Sequence, residues 1–273
     1  MPELPEVETI VRDLQTLVVG RRIEAVRVRL NKLVRTGPRR LARLLANRTV
    51  LAAKRRGKII VLTLSGERYL IVHLKMTGQF LWGRSPQTWP KHVHLILDFG
   101  DKQALLYRDI RRFGYFLGLT AGKYAHWLVK EEIGPDPFQI SPREFAGLLS
   151  SRRGRIKPLL LNQKFISGLG NIYVDEALFA AGIHPLCPAK CIDGDLAKRL
   201  HQEITGIMKE AIRLRGSTTN NYVGLRGVGG EFQIRHQVYG RTGANCLVCG
   251  QGLERIVVAG RGTHFCPACQ PKT

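Results

Sequence analysis

Four cysteines near the C-terminus constrain the fold of this chain more than any other feature. Cys246, Cys249, Cys266 and Cys269 form the pattern C-x2-C-x16-C-x2-C. Each close pair can form a tight turn that presents two thiolates to one ion, and four thiolates complete the closed tetrahedral shell of a structural Zn²⁺. A module this small does not fold without its metal. The spacing therefore predicts a C-terminal zinc ribbon that holds one structural Zn²⁺.

The segment between the two cysteine pairs carries a basic residue at a tight turn. Residues 253–265 predict two short strands around residues 259–262, which places Arg261 at a hairpin tip between Gly260 and Gly262. An arginine on a rigid tip is suited to a phosphate contact, although it could also be a simple exposed turn residue. His264 is not predicted as a metal ligand, because four cysteines already complete the shell.

The chain is more basic than solubility requires. Lys plus Arg total 43 against 21 Asp plus Glu, which gives a formal net charge of +22. Because packing gains nothing from such self-repulsion, the charge indicates a polyanionic partner, most simply nucleic acid. A merely solvated surface needs far less charge, and an anionic membrane is disfavoured because no basic amphipathic segment stands out.

No segment of the sequence predicts membrane insertion or secretion. No apolar run approaches the roughly 20 residues of a membrane helix, and charged residues such as Glu3 and Glu6 interrupt any apolar stretch at the N-terminus. We therefore expect a cytoplasmic protein with reduced thiols. Cys187 and Cys191, with His184 nearby, lack an apparent fourth ligand, so a second metal site is not predicted.

The periodicity of apolar residues divides the chain into a strand-rich part and a helical part. Residues 2–19 have helical spacing, and residues 39–48 predict a second helix. Between residues 23 and 119, five short β-branched segments predict a β-sandwich or barrel. Residues 133–142 hold three prolines, which indicates a domain boundary. Beyond it, apolar stripes at helical spacing continue until a Gly-rich stretch at residues 216–231.

These patterns predict an α+β multidomain protein. We expect an N-terminal β-sandwich domain with an N-terminal helix at residues 1–132, a linker at 133–141, a helical domain at 142–230 and the zinc ribbon at 231–273. The 216–231 stretch has few apolar anchors, which predicts a mobile loop.

Seven motifs spread over nearly the whole chain resemble the formamidopyrimidine-DNA glycosylases, bacterial enzymes that excise oxidised purines from DNA. In the family's order they are PELPEVET (2–9), RRGK (55–58), HLKMTG (73–78), RDIRRFG (108–114), GLGNIYVDEALF (168–179), QVYGRTG (237–243) and AGRGTHFCPACQ (259–270). The resemblance implies a β-sandwich, a helix–two-turn–helix DNA-binding domain and a zinc ribbon. It also implies double-stranded DNA containing oxidised purines or abasic sites as the partner, and hence a nucleoid-associated protein.

The resemblance implies that Pro2 is the nucleophile once Met1 has been removed. An unprotonated secondary amine can attack a sugar C1′, expel the damaged base and leave an iminium ion that promotes elimination of the 3′ and then the 5′ phosphate. A free α-amine titrates at about 8, and the positive end of the following helix disfavours its charged form. Without the resemblance, Pro2 reads as an ordinary chain terminus.

Two further catalytic residues follow from the same resemblance. Glu3 corresponds to the acid/base residue that moves protons between steps, and Lys58 to a strand-borne lysine that holds phosphate and assists the chemistry. Taken alone, Glu3 would supply helix-start electrostatics and Lys58 would be a solvated surface lysine. His73 and Lys157 correspond to phosphate contacts. Asn171 reads as a helix N-cap and as a phosphate ligand, and both roles are compatible at a helix N-terminus.

A glycosylase must extrude its target nucleotide, and the gap that is left must be filled. Met76, Arg111 and Phe113 match the family's three inserted residues. Met is flexible and apolar, Phe can wedge between base pairs, and Arg can hydrogen-bond the orphaned base, preferably cytosine. Residue type alone would favour a core Met, a core Phe and a surface Arg, and the motif contexts reverse that preference.

Some questions stay open at this point. Asn220 and Asn221 stand where some family members carry a lysine or arginine, which leaves lesion preference undetermined. The sequence also does not determine the preferred base opposite the lesion. The sister family, endonuclease VIII, shares the architecture but favours oxidised pyrimidines and typically begins PEGPE. A non-catalytic nucleic-acid-binding zinc protein also fits the charge and the ribbon, but Pro2 and Glu3 argue against it. A monomer is expected.

Overall fold

The structure is a computed structural model that describes residues 1–218 and 222–272, and the chain divides into two compact units. The N-terminal unit comprises Met1–Glu132 and Leu214–Glu231, and the C-terminal unit comprises Ile133–Arg213 and Phe232–Thr273. The segment after residue 213 thus returns to the N-terminal unit, while the cysteine module groups with the helices. The predicted boundaries of the helical domain at residues 142–230 and of the zinc ribbon at residues 231–273 stay a prediction.

In the described part of the N-terminal unit, eight strands combine with three α-helices. They are α1 (Leu4–Leu17), β1 (Arg22–Val28), α2 (Pro38–Leu45), β2 (Arg48–Arg56), β3 (Ile59–Leu64), β4 (Arg68–His73), β5 (Gly78–Arg84), β6 (Val93–Phe99), β7 (Gln103–Asp109), β8 (Tyr115–Thr120) and α3 (Ala121–Lys130).

The strands form a β-sandwich, as predicted. Their order is β5-β7-β6-β1-β2-β3-β4-β8, with every neighbouring pair antiparallel. β1 and β2 share only the pairs Arg22↔Thr49 and Ile23↔Arg48, whereas the other neighbours pair over five to seven residues. The weak junction at β1–β2 lets the ladder separate into two four-stranded layers.

Alternating residues of both layers fill one core. On β6, for example, Leu95, Leu97 and Phe99 point into it, and α1 contributes Val7 and Leu14. The period of two on the strands and the helical period on α1 therefore converge on the same interior.

Three strands of this unit (β2, β5 and β8) and one helix (α3) were not predicted as separate elements from the sequence. β2 is rich in Lys and Arg, and β5 contains two glycines and a tryptophan, so neither shows a clear strand pattern. α3 is mostly exposed, and only Trp127 is buried. The predicted helix at residues 39–48 is shorter than expected, because Asn47 adopts a positive φ of 62° and starts the turn into β2.

The stretch at residues 214–231 is better anchored than the sequence indicated. Tyr222 and Leu225 belong to the sandwich core, Trp82 N donates to Leu225 O at 2.9 Å, and Arg215 forms an ion pair with Asp13 at 2.6 Å. The expectation of few apolar anchors was therefore wrong for the described part of this stretch. Asn220 and Asn221 lie outside the described residues.

The C-terminal unit builds helices around one buried helix. Its elements are α4 (Pro142–Ser150), α5 (Ile156–Leu161), α6 (Asn171–Ala180), α7 (Gly194–Arg213), β9 (Glu254–Val258) and β10 (Arg261–Phe265). Residues 172–179 of α6 are all buried, because α5, α7 and β10 pack around it. Among the described residues, no helix has the length and apolarity that a membrane crossing requires.

Candidate active site and nucleic-acid interface

The N-terminus is held against the first turn of α1. Pro2 and Glu3 are buried, while Met1 is 44% exposed. Glu3 N donates to the Glu6 Oε2 atom at 2.8 Å, so the peptide that follows Pro2 is fixed by a side chain three residues later. Glu3 thus lies at the N-cap position of α1, next to the positive end of the helix dipole.

The direction of α1 brings this N-terminus towards the hairpin that carries Lys58. Glu8 pairs with Arg55 at 2.9 Å, and Gln15 donates to Ala53 O at 3.0 Å, so α1 runs antiparallel to β2. Its first turn therefore points to the end of β2, where residues 57–58 make the turn into β3. Lys58 is buried in this turn. The resemblance had implied that Lys58 lies on a strand, and it does not.

A cluster of cations surrounds the same end of the sheet. The register pairs Ile59 with His73 and His73 with Tyr115. The Arg35 guanidinium carbon lies 3.4 Å from the Tyr115 ring centroid, and Lys75 Nζ lies 5.8 Å from it. Arg35, Lys58 and Lys75 all act on His73 electrostatically, and Glu131 is the acidic residue that acts on Tyr115. The three cations form a surface suited to phosphate.

His73 is the uncharged member of this cluster. Burial of the ring and the charges of Lys75, Lys58 and Arg35 lower the pKa of His73 to about 3. Lys75 N donates to His73 Nδ1 at 3.0 Å, which leaves the proton on Nε2. His73 can therefore offer a phosphate a neutral N–H donor.

Glu6 connects the N-terminus to the segment at residues 214–231. Its Oε2 atom accepts from Glu3 N, and its Oε1 atom accepts from Ser217 N at 2.8 Å. Gly216 has φ of 85°, and a Cβ there would lie 2.7 Å from Glu6 Oε1. Glycine is therefore required by both the conformation and the close approach of the carboxylate.

Met76, Arg111 and Phe113 lie at the surface. Met76 is 40% exposed and Phe113 is 53% exposed, which excludes the alternative that they are core residues. The Arg111 guanidinium carbon lies 4.8 Å from the Phe113 ring centroid. The β5–β7 register pairs Gly78 with Asp109, so the loops that carry the three side chains emerge side by side from neighbouring strand ends.

In the C-terminal unit, Asn171 lies at the start of α6 but does not cap it. Gly170 is the N-cap residue, and Asn171 is the first helical residue. Its Nδ2 atom donates to Gly262 O at 2.8 Å. The predicted N-cap role was therefore wrong, and the side chain instead ties the helix start to the hairpin of β9 and β10.

The predicted phosphate contact of Lys157 conflicts with its burial. The side chain has no exposed surface, and its Nζ atom lies 2.5 Å from Asp175 Oδ1 and 3.3 Å from Gly262 O. Asp175 Oδ2 accepts from His264 N at 2.9 Å. A cation enclosed in this way neutralises a buried carboxylate, so Lys157 is not available to a phosphate in this structure.

Arg261 projects from the hairpin that this network holds. Ala259 and Gly260, both with positive φ, form the two-residue turn, and Arg261 is the exposed first residue of β10. It therefore lies one position beyond the tip, on a strand whose next carbonyl is bound by Asn171 and Lys157.

The four predicted zinc ligands come together. All four Sγ atoms lie within 4.8 Å of one another, with 3.9 Å between Cys246 and Cys269 and 3.5 Å between Cys249 and Cys266. A tetrahedral site with Zn–S bonds of about 2.3 Å has S···S edges of about 3.8 Å. The cluster therefore fits one structural Zn²⁺, and His264 lies outside it beside Asp175.

Sequence reasoning missed several residues of these sites. The three-residue spacing of Glu3 and Glu6 at a helix start could have identified the cap. No local signal connects Arg35 to Tyr115, or Asp175 to Lys157 and His264, because these partners meet only through the fold.

Comparison with known proteins covers the whole chain. Residues 1–116 match the family model of the formamidopyrimidine-DNA glycosylase N-terminal domain, residues 133–223 the formamidopyrimidine-DNA glycosylase H2TH domain, and residues 245–272 the zinc finger found in FPG and IleRS. The formamidopyrimidine-DNA glycosylase of Solibacter usitatus is 45% identical over 100% of both chains.

Solved structures show the same similarity. A Lactococcus lactis FPG variant in complex with DNA containing Fapy-dG superposes with a TM-score of 0.94 and 38% identity, over 99% of this chain and 100% of the other. The L. lactis FPG with abasic-site DNA gives a TM-score of 0.93 with the same identity and coverage.

Proposed function

Because the chain belongs to the formamidopyrimidine-DNA glycosylase family, we propose that it excises oxidised purines from duplex DNA through a covalent bond to Pro2. It is a DNA glycosylase and abasic-site lyase of base excision repair. The observation that carries the Pro2 proposal is the position of Pro2 directly before the N-cap residue of α1, with its following peptide fixed by Glu6.

Removal of Met1 frees the Pro2 nitrogen as a secondary amine. Its lone pair attacks C1′ of the extruded nucleotide, and the C1′–N bond to the damaged base breaks with the electron pair leaving on the base. Loss of the Pro2 N–H proton and opening of the sugar give the iminium ion. Loss of a C2′ proton then expels the 3′ phosphate, and a second elimination expels the 5′ phosphate. Glu3 supplies and removes protons beside these atoms.

The phosphates that flank the lesion are assigned to donors in both units. In the N-terminal unit, Lys58 supplies a cation and His73 a neutral N–H. In the C-terminal unit, Asn171, at the positive end of the α6 dipole, serves one phosphate, and Arg261 serves another. We propose that Lys157 positions Arg261 through Gly262 O and Asp175, since it is enclosed.

Met76, Arg111 and Phe113 are proposed to fill the gap left by the extruded nucleotide. Their exposure and the stacking of Arg111 on Phe113 support this role. Arg111 offers donors to the orphaned base, preferably cytosine. The bound Zn²⁺ would stabilise the ribbon through Cys246, Cys249, Cys266 and Cys269, and it supplies no step of the chemistry.

Borohydride reduction tests the covalent intermediate. Mixing the protein with an 8-oxoguanine duplex and borohydride should give a stable protein–DNA adduct that maps to the tryptic peptide of residues 2–12. Undamaged duplex of the same sequence is the control and should give none. An adduct on Lys58, no adduct while the lesion duplex is bound, or mass spectrometry of active protein that finds Met1 retained would each overturn the proposal.

Lesion preference separates this function from the endonuclease VIII alternative. PELPEVET and RDIRRFG favour the purine branch, so excision of 8-oxoguanine and formamidopyrimidines should be faster than excision of an oxidised pyrimidine in the same duplex. A reversed order would favour the sister activity. We further propose that the enzyme acts as a monomer in the cytoplasm, on nucleoid DNA.

A further inference from the structure

The loops that carry Met76 and Arg111–Phe113 meet above one buried carboxylate. Asp109 is the last residue of β7 and has no exposed surface. Thr77 Oγ1 donates to Asp109 Oδ1 at 2.5 Å, and Gly114 N donates to Asp109 Oδ2 at 2.9 Å. One side chain therefore accepts hydrogen bonds from both loops.

The same hydroxyl that reaches Asp109 also connects the loops to each other. Arg111 N donates to Thr77 Oγ1 at 3.0 Å, so the Thr77 hydroxyl accepts from one loop while it donates to the carboxylate. Thr77 directly follows Met76, and Arg111 N belongs to the residue proposed to contact the orphaned base. The network thus uses the backbone N–H of Arg111 and the side chain of the residue after Met76, and it leaves the side chains of Met76 and Phe113 exposed.

Tyr107, two residues before Asp109 on β7, also belongs to this network. Its hydroxyl donates to Asp109 Oδ2 at 3.1 Å, and burial, with Asp109 adding to the effect, raises the pKa of Tyr107, so the hydroxyl stays protonated. A Cβ on either Gly78 or Gly114 would overlap this hydroxyl. The glycines that end HLKMTG and RDIRRFG are therefore both required by the same atom.

The backbone of Asp109 is fixed as well. Asp109 N donates to His92 O at 2.9 Å, and His94 Nε2 donates to Asp109 O at 3.0 Å. The Asp109 backbone is therefore held by the neighbouring strand β6 and the residue before it, and its position does not depend on the two loops. Lys75 and Arg112 have φ of 53° and 59°, a conformation that costs free energy for such residues and persists only where surrounding contacts impose it.

We propose that Asp109 and Thr77 are positioning residues that join the Met76 loop and the Arg111–Phe113 loop into one rigid gap-filling unit. This inference rests on the proposed gap-filling role of Met76, Arg111 and Phe113. Side chains on two independent loops would each lose conformational freedom on entering the duplex, whereas a unit that is already ordered loses less. This smaller loss of conformational freedom favours the reaction only where a base stack has to be held open.

We call the link that Thr77 and Asp109 form between the two loops the clamp. Thr77→Val tests the clamp, because valine keeps the shape of the side chain and removes the hydroxyl. Excision of 8-oxoguanine from duplex should fall about tenfold, as expected for a lost hydrogen bond to a charged group, with weaker preference for dC opposite the lesion. Borohydride trapping of an abasic site in single-stranded DNA should stay unchanged, since no stack has to be held open. Thr77→Ser should restore duplex excision, and Asp109→Asn should lower it further by presenting an amide to Gly114 N.

Ser85→Ala is the matched control. Ser85 Oγ donates to Asp98 Oδ1 at 2.5 Å in the same sheet but touches neither loop, so duplex excision should be unaffected. Equal loss in single-stranded and duplex assays for Thr77→Val would indicate general damage and refute the clamp. Normal duplex excision by Thr77→Val, while Met76→Ala and Arg111→Ala are impaired, would also refute it. If Met76→Ala and Arg111→Ala are themselves normal, the gap-filling role fails, and the clamp with it.

Discussion

Two residues proposed to bind phosphate, His73 and Arg261, differ in their charge. His73 is surrounded by Arg35, Lys58 and Lys75, and its pKa of about 3 keeps it neutral at pH 7. A bound phosphate raises the pKa of a nearby cationic acid by about one to three units, which still leaves the ring uncharged. Arg261 carries a permanent charge. Both can hold a phosphate oxygen, but only Arg261 releases a counterion on binding.

The salt dependence of DNA binding should distinguish the two residues. Arg261→Ala should weaken binding to any duplex and reduce the slope of log K against log salt by about one unit. His73→Gln should weaken binding at every salt concentration without changing that slope. Binding isotherms at several salt concentrations measure both. A slope unchanged by Arg261→Ala would remove Arg261 from the phosphate contacts, and a slope changed by His73→Gln would show a charged histidine.

At the scale of elements, helix α6 and the hairpin of β9 and β10 are joined through polar groups inside the C-terminal unit. Asp175 on α6 binds Lys157 and His264, and Gly262 O accepts from Asn171 and Lys157. The next residue of α6, Glu176, accepts from three successive backbone amides at residues 237–239. The helix start and the strand that carries Arg261 are thereby held in a fixed relation.

Lys157→Met should destabilise the folded state and displace Arg261. It leaves the Asp175 carboxylate buried without its cation, which costs about 3 to 5 kcal/mol. Thermal or denaturant unfolding measures the stability, and hydrogen exchange at residues 261–265 reports on the hairpin. The pair Lys157→Met with Asp175→Asn should recover much of the stability, since no unpaired charge remains. A DNA affinity and exchange rate unchanged by Lys157→Met would contradict the positioning role.

At the scale of the whole molecule, the net charge of +22 and the four-cysteine cluster are proposed to assist DNA binding in different ways. The charge attracts DNA without regard to sequence, whereas the cysteines stabilise one module that presents Arg261. Cys246 and Cys266 also pack with Phe179 of α6 and with Val238 and Leu253. Metal loss should therefore loosen the ribbon together with its contact to α6.

Removal of Zn²⁺ should abolish DNA binding while the sandwich stays folded. The ribbon has too small a core to persist without metal, but the core between the two layers of the sandwich contains no cysteine. Chelation followed by hydrogen exchange over the whole chain and a DNA-binding assay tests this, with re-addition of Zn²⁺ as the control. Binding that survives metal loss would show that the ribbon is not part of the binding surface.

The sequence by itself determined the features that depend on local spacing. C-x2-C-x16-C-x2-C was sufficient for the zinc ribbon, because two tight turns can present four thiolates without help from the rest of the chain. Alternation on β6 and helical spacing on α1 were sufficient to predict the sandwich and its first helix. Motifs such as PELPEVET identified the family. The catalytic role of Pro2 was inferred from the family, because the residues alone do not show it.

Only the tertiary structure decided which polar groups are enclosed and which are exposed. A lysine at residue 157 and an arginine at residue 261 both read as phosphate contacts, yet one is buried against Asp175 and the other is exposed. Thr77 and Asp109 are 32 residues apart, and Glu6 and Ser217 are 211 apart. Burial and pairing depend on what the fold brings from distant positions, and no local period or spacing carries that information.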